Sequence, residues 1–269
     1  MSSNAQYAAQ FRQLHAGGLL LLPNAWDAGS ARLIESLGAK AIATTSAGVA
    51  WANGYADGDQ LPIAQLVATA ESIARVIAIP LSVDVEGGYS DDPATVADNV
   101  VRLADIGVVG INLEDGAGAP ELLCAKIERI KSECAQRGLD VYVNARTDVY
   151  LRGLAPAGQR VESTLARAAL YRQAGADGLF VPGLTDADEI GAVASRAGVP
   201  LNVMLRPNLP DTAALEALGV RRLSAGSNLA EEAYAHTRAG AQEFLRSGRS
   251  PASADAIGYG AINGLFADR

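Results

Sequence analysis

Four times in this sequence a helical stretch stops at a glycine next to a small or apolar residue, and an apolar strand begins at once. The junctions are Leu37-Gly-Ala-Lys-Ala-Ile42, Ile106-Gly-Val-Val-Gly-Ile111, Ala174-Gly-Ala-Asp-Gly-Leu179 and Leu218-Gly-Val-Arg-Arg-Leu223. Glycine in the left-handed conformation is the favoured helix stop, so each junction marks a helix passing directly into a strand. Between them the hydrophobic pattern predicts strands at 19–23, 41–46, 80–86, 108–114, 141–147, 178–182, 200–205 and 221–225. Helical patterns fill the intervals at 28–37, 62–78, 93–106, 119–137, 161–174, 185–196, 210–218 and 228–246. Eight such alternations within 269 residues predict an α/β fold of the (β/α)8 TIM-barrel type. A doubly wound open sheet is the runner-up. It often carries a Gly-rich phosphate loop after its first strand, and here that strand ends in Pro23-Asn-Ala-Trp-Asp27.

The barrel is expected over 1–246, opened by a lead-in helix at 4–16 that Gly17-Gly18 stops. Residues 247–269 are expected to form a C-terminal extension: a Ser-Gly-Arg-Ser-Pro-Ala-Ser linker and a small apolar end piece at 256–266. Its Ile, Leu and Phe side chains suggest docking on a neighbouring subunit, hence a homo-oligomer.

The chain is 49% hydrophobic and 19% charged with a formal charge of -8, and no basic cluster offsets the acids. That argues against nucleic-acid and anionic-membrane partners. Cys124 and Cys134 fall in one helical stretch on different faces and read as free thiols of a reducing compartment. There is no leader-like apolar segment and no run of 18 or more apolar residues, so a cytoplasmic location is expected.

The strand ends carry the chemistry. Leu81-Ser-Val-Asp-Val-Glu-Gly-Gly-Tyr89 begins as a buried strand and ends in two carboxylates and a glycine pair. Side chains two apart share a face, so Ser82, Asp84 and Glu86 are expected to point the same way. Adjacent acids repel unless a divalent metal or an arginine sits between them. Ile111-Asn-Leu-Glu-Asp115 adds Asn112 and Glu114, and Val143-Asn-Ala-Arg-Thr147 adds Asn144 and Arg146. Thr44-Thr-Ser-Ala-Gly48, the loop residues Trp51 and Asp57, and Asn202 with Met204 complete the set, since barrel active sites form at the C-terminal strand ends. Acids facing one arginine describe a hard-cation site beside an anion clamp. Simpler roles stay open: Asp148, Glu114 or Asp115 as helix caps, Arg146 as an internal ion pair, Ser46-Ala-Gly48 as a turn. Burying the whole set without a counter-ion, however, is too costly for an apolar barrel mouth.

His15 and His236 lie away from the strand ends, which disfavours histidine catalysis and zinc. Lys40, Lys126 and Lys131 are also off the strand ends, which disfavours a Schiff-base aldolase. An oxygen-only site suits Mg2+, or Mn2+ in its place.

From about Leu20 to Gly226 the chain resembles the isocitrate lyase/phosphoenolpyruvate mutase superfamily. The shared pieces are Leu22-Pro-Asn-Ala-Trp-Asp27, Thr45-Ser-Ala-Gly48, Asp57, Val83-Asp-Val-Glu-Gly-Gly-Tyr89, Asn112-Leu-Glu-Asp115 and Asn144-Ala-Arg-Thr-Asp148. The resemblance implies a Mg2+ enzyme that makes or breaks a C–C or P–C bond beside an enolate. It implies Asp84 as the direct metal ligand, with Asp57, Glu86 and Glu114 holding metal-bound waters. It further implies that Arg146 grips the substrate carboxylate and that the backbone of Ser46, Ala47 and Gly48 receives the oxo oxygen. Asn202 is counted with the substrate-binding residues.

The departures narrow the activity. Glu86 stands where the family usually has Asp. The Lys-Lys/Arg-Cys-Gly-His loop of the true lyases is absent, Gly116–Pro120 leading straight into helical residues around Cys124. The loop of the P–C branch is missing too. The expected function is therefore C–C cleavage, by decarboxylation or retro-aldol, of a small 2-oxo or 2-hydroxy carboxylate. A catalytically weak 2-oxo acid binder and a phosphonopyruvate-type P–C enzyme are the alternatives. A glycosidase is weaker still, because only 5% of the chain is aromatic.

Overall fold

The computed structural model describes residues 3–249 and 256–267. Its strands are β1 (Leu20–Leu22), β2 (Asn24–Ala25), β3 (Ile42–Thr44), β4 (Leu81–Asp84), β5 (Gly110–Glu114), β6 (Tyr142–Arg146), β7 (Gly178–Phe180), β8 (Leu201–Met204) and β9 (Arg222–Ser224). Its helices are α1 (Ser3–Leu14), α2 (Ala28–Ser36), α3 (Ser46–Ala52), α4 (Ile63–Val76), α5 (Pro93–Asp105), α6 (Pro120–Gln136), α7 (Arg160–Gln173), α8 (Ala187–Arg196), α9 (Thr212–Ala217), α10 (Asn228–Ser247) and α11 (Tyr259–Ala267).

All strand pairs are parallel, in the order β1-β9-β8-β7-β6-β5-β4-β3-β2. The first strand thus runs past its expected end at residue 23 and is split in two at Pro23, which has no N–H to donate. Its first half pairs with β9 and its second half with β3, so this interrupted strand closes the ring as the first of eight barrel positions. Helix starts follow local chemistry. The Asp27 side chain accepts from Ser30 N while the Ser30 hydroxyl reaches back, a capping box that opens α2. Asp92 caps α5 ahead of Pro93 at its first turn.

Ile111, Leu113, Val143 and Val203 point outward into the layer between sheet and helices, where α5 buries Val96, Val100 and Leu103. Each such aliphatic side chain contributes about 1.5–3 kcal/mol when fully buried. The bottom of the barrel is closed by α1. Its Phe11 is fully buried among Leu20, Leu22, Ala43 and Tyr142. A Cβ on Gly110 would lie 2.6 Å from the Phe11 ring, so β5 must carry glycine there for the plug to seat.

Three expectations change. Ser46-Ala-Gly48 is the first turn of α3, an additional helix, rather than a loop. Gly48 serves packing: a Cβ there would meet Thr45 and Trp26 at 2.7 and 2.9 Å. Residue Glu86 lies beyond β4, with φ of +51°. The C-terminal piece docks on its own barrel, Arg32 Nε donating to the Leu265 carbonyl at 2.7 Å and Phe266 packing on the core. Most of the expected linker falls on 250–255, outside the described residues. Among the described residues no helix is long and apolar enough to cross a membrane.

Candidate active site

Asp84 ends β4 and is 8% exposed. Its N–H donates to Thr44 Oγ1 on β3 at 2.9 Å, and its Oδ1 accepts from Glu86 N at 3.2 Å. Its carboxylate opens on a cavity of about 150 Å³ at the C-terminal mouth of the barrel, with Asp57 on the rim and Asn112 and Arg146 on the walls. Burial pushes the Asp84 carboxyl above its ordinary pKa, against the pull of the Arg146 charge.

Glu86 does not share that face. The strand ends two residues earlier, and the left-handed backbone turns the Glu86 side chain toward the loop after α3. There it accepts N–H bonds from Gly58 at 2.8 Å and Asp59 at 2.5 Å, and the Tyr89 hydroxyl at 2.7 Å. Three donors on one carboxylate make Glu86 the clamp of the loop that carries Asp57. Period-2 reasoning missed this because it holds only while the strand continues.

Arg146 ends β6 and is the centre of an ion cluster. Its Nε and Nη2 meet the two oxygens of Asp148 at 2.7 and 3.1 Å, and Nη1 meets Glu114 at 2.6 Å. Of the roughly five N–H donors of a guanidinium, two remain for the cavity. The Phe180 ring lies 5.9 Å from the guanidinium carbon. Glu114 is therefore an arginine partner, and burial pushes its carboxyl up to about 8. Asp148, fully buried, also takes Arg152 Nε at 2.8 Å, and Asp115 takes Arg167 at 2.7 Å and Tyr171 at 2.5 Å. Neither acid caps a helix.

Below the cavity the barrel is polar. Asn112 Oδ1 accepts from Asn144 at 2.9 Å and from the buried Arg222 at 3.2 Å. With its oxygen so engaged, the Asn112 amide turns its donor end to Asp84. Asn202, expected to bind substrate, spends its amide inside this network, on Asn144 at 3.0 Å and on the Val203 carbonyl at 2.6 Å. Ser46 and Ala47 do line the cavity, on a helix start that Thr45 leaves without a side-chain cap. Cys124 sits on α6, part-buried on the core, with its thiol pushed up by burial.

Sequence reasoning gave no role to several cavity residues. Asn24 bridges the mouth, its Nδ2 donating to the Thr44 carbonyl at 2.8 Å and its Oδ1 accepting from Ala225 and Gly226 at 2.8 and 3.0 Å. It stands in the Pro23–Asp27 motif, which was the available signal. Leu151, Phe180 and Arg206 also line the cavity and carry no motif of their own.

Among the described residues no three His, Cys, Asp or Glu side chains gather into a metal cage. The donors fit a hydrated ion instead: one buried carboxylate, Asp84, with Asp57 on the rim of the same cavity and no histidine or cysteine among the residues that line it. Mg2+ keeps several waters and binds through one or two carboxylates, so this set suits it.

The sequence model of the phosphoenolpyruvate phosphomutase family matches residues 11–245. Protein Rv1998c of Mycobacterium tuberculosis, itself uncharacterized, is 41% identical over 223 residues, 81% of each chain. The oxaloacetate decarboxylase of Pseudomonas entomophila is 29% identical over 219 residues, 78% of this chain and 75% of that one. A crystal structure from Burkholderia cenocepacia J2315, provisionally described as a lyase/mutase, superposes with a TM-score of 0.90 at 35% identity. It covers 99% of this chain and 98% of its own.

Proposed function

Because the chain belongs to the phosphoenolpyruvate phosphomutase family, we propose that it is a cytoplasmic C–C lyase, dependent on Mg2+ or Mn2+, for a small 2-oxo or 2-hydroxy carboxylate. One observation carries the reading: a buried carboxylate, Asp84, faces the same small cavity as the unspent donors of Arg146. The likeness to an oxaloacetate decarboxylase supports C–C rather than P–C cleavage.

Asp84 and Asp57 would hold the divalent ion. When bound, that ion supplies a Lewis acid that draws electron density from the substrate's C2 oxygen. The two free N–H groups of Arg146 take the C1 carboxylate, and the Asp148 and Glu114 contacts fix the guanidinium plane before substrate arrives. The Ser46 and Ala47 backbone lines the same cavity, and its N–H groups, given to the C2 oxygen, would stabilise the cleaved state more than the ground state. Asp57, at the exposed rim, is the carboxylate in contact with solvent protons. Cys124 takes no part, being outside the cavity.

The test is Asp84→Asn, which keeps the shape and removes the charge. Mg2+-dependent turnover of oxaloacetate and alkylmalates should fall at least a thousandfold, with an unchanged circular dichroism spectrum. Undiminished turnover would end the reading. The short Gly116–Pro120 loop, with no acid aimed into the cavity, favours a second reading, a 2-oxo acid carrier. Tight binding without product from any acid of the panel would establish that instead. The exposed faces of α10 and α11 support a homo-oligomer.

A further inference from the structure

Of the three lysines, Lys126 alone is buried, and the site described above gives it no work. It stands on α6, where burial lowers its pKa against the charges of Asp91 and Asp59. Among the described residues its one ion-pair partner is Asp91, at 3.9 Å and 96% exposed, too distant and too hydrated to hold it there. A methionine would fill the same space without the cost of burying a charge. What the ammonium does reach is the Gly87 carbonyl, to which Nζ donates at 2.7 Å. Buried Asn99 of α5 donates to the next carbonyl, that of Gly88, at 3.2 Å. Two helices thus grip the two consecutive carbonyls of the glycine pair that follows Glu86.

That turn and the loop after α3 hold each other in both directions. Glu86 accepts the Gly58 and Asp59 N–H groups, and the Asp59 carboxylate accepts the Tyr89 N–H at 3.3 Å in return. A Cβ on Gly87 would lie 2.9 Å from that carboxylate, so only glycine lets the loop seat so closely on the turn. Asp57, two residues from Asp59, is carried to the rim by the same loop. Lys126 itself stays off the Asp84 cavity and lines a neighbouring cleft of about 260 Å³, shared with Asp59 and Gly87.

We propose that Lys126 is a positioning residue: from α6 it fixes the turn at 86–89, and through that turn it sets the loop that brings Asp57 to the mouth. For its consequence at the ion the inference rests on the lyase reading, which gives Asp57 to the metal. The positioning itself does not. A charged donor on a carbonyl makes a stronger bond than a neutral one, and removing it leaves the Gly87 carbonyl unpaired. The loss falls on the turn and the loop, since the barrel strands keep their own ladder.

The experiment uses the full chain and reads two things: hydrogen exchange at the Gly58 and Asp59 amides, and Mn2+ affinity by electron paramagnetic resonance. Lys126→Met keeps the stem and removes the donor. It should speed exchange of those two amides about tenfold and weaken Mn2+ binding about fivefold. Amides of β5 and β6 should exchange as in the wild type. Lys126→Arg, which keeps a charged donor, should restore most of both. Unchanged exchange at Gly58 and Asp59, acceleration spread evenly over the barrel, faster exchange with unaltered Mn2+ affinity, or a Lys126→Arg no better than Lys126→Met would each overturn the proposal. Should Lys126→Met not fold, Lys126→Gln is read in the same way. Exchange is measured without metal, so a wild type that binds no Mn2+ sinks the metal in the lyase reading and leaves exchange alone to decide for or against Lys126.

Discussion

Glu86 shows how a turn of the backbone changes a residue's work. Its backbone is left-handed at φ +51°, as is that of Tyr89 at +61°, a conformation costing a non-glycine residue on the order of 1 kcal/mol. The surrounding bonds offset that cost: the carboxylate that the turn aims at the Gly58–Asp59 backbone collects two N–H donors and the Tyr89 hydroxyl. Hydrogen bonds to a charged acceptor contribute about 1.5–3 kcal/mol each, and glutamine would keep weaker versions of some. Glu86→Gln should therefore destabilise the fold by roughly 1–3 kcal/mol, lowering Tm by about 3–8 °C. It should also raise the Mg2+ concentration needed for half-maximal activity several-fold, because Asp57 rides on the loop it holds. Tyr89→Phe removes one bond and should do less of both. Calorimetry and a metal titration decide it: an unchanged Tm with unchanged metal dependence would mean the loop is held by other contacts.

At the scale of elements, α1 gives the fold a pH dependence. The helix plugs the barrel bottom and delivers His15 to a site 4% exposed, stacked on Tyr142 at 4.4 Å, with Nδ1 2.8 Å from the Phe11 carbonyl. Burial, helped by the charge of Arg222, lowers its pKa from 6.5 to about 4. The sign follows from linkage. Between about 6.5 and 4 the unfolded chain binds a proton at this residue that the folded chain refuses, so stability falls as the pH falls through that window. A histidine held neutral in this way costs the fold on the order of 1–2 kcal/mol between pH 7 and pH 5. Urea unfolding at both values should show that loss in the wild type and a smaller one in His15→Gln. Equal losses would mean that His15 takes up its proton over the same pH range in the folded as in the unfolded chain.

For the whole molecule, the alternation of helix and strand was legible because four of the units repeat the same glycine stop, and the helices expected in the intervals fall within about two residues of where they are observed. The split at Pro23 was not, since whether a strand bends there depends on which neighbours it must reach. α3 escaped because Ser46–Ala52 is only seven residues long with a glycine inside it, too short to show a helical period. In the site, alternation brings side chains to the cavity where the strand runs on, as at Asn112 and Arg146. The bend that turns Glu86 to the Gly58–Asp59 backbone and the amide network that engages Asn202 are decided by tertiary contacts, which alternation along one strand does not carry. The same contacts leave one surface unaccounted for within a single chain. Along its 20 residues α10 buries only Ala230, and Trp51, Tyr234, Phe244 and Leu245 stand 38, 43, 60 and 84% exposed on or beside it. The outer side of α11 adds Tyr259 and Ile262. Apolar residues so gathered mark an interaction surface rather than ordinary solvent contact. Light scattering should accordingly find a dimer or larger assembly, and Phe244→Glu with Leu245→Glu should shift it toward monomer without loss of helical signal. A wild type that stays monomeric at tens of micromolar would remove the oligomer from the account and leave the barrel and its mouth as described.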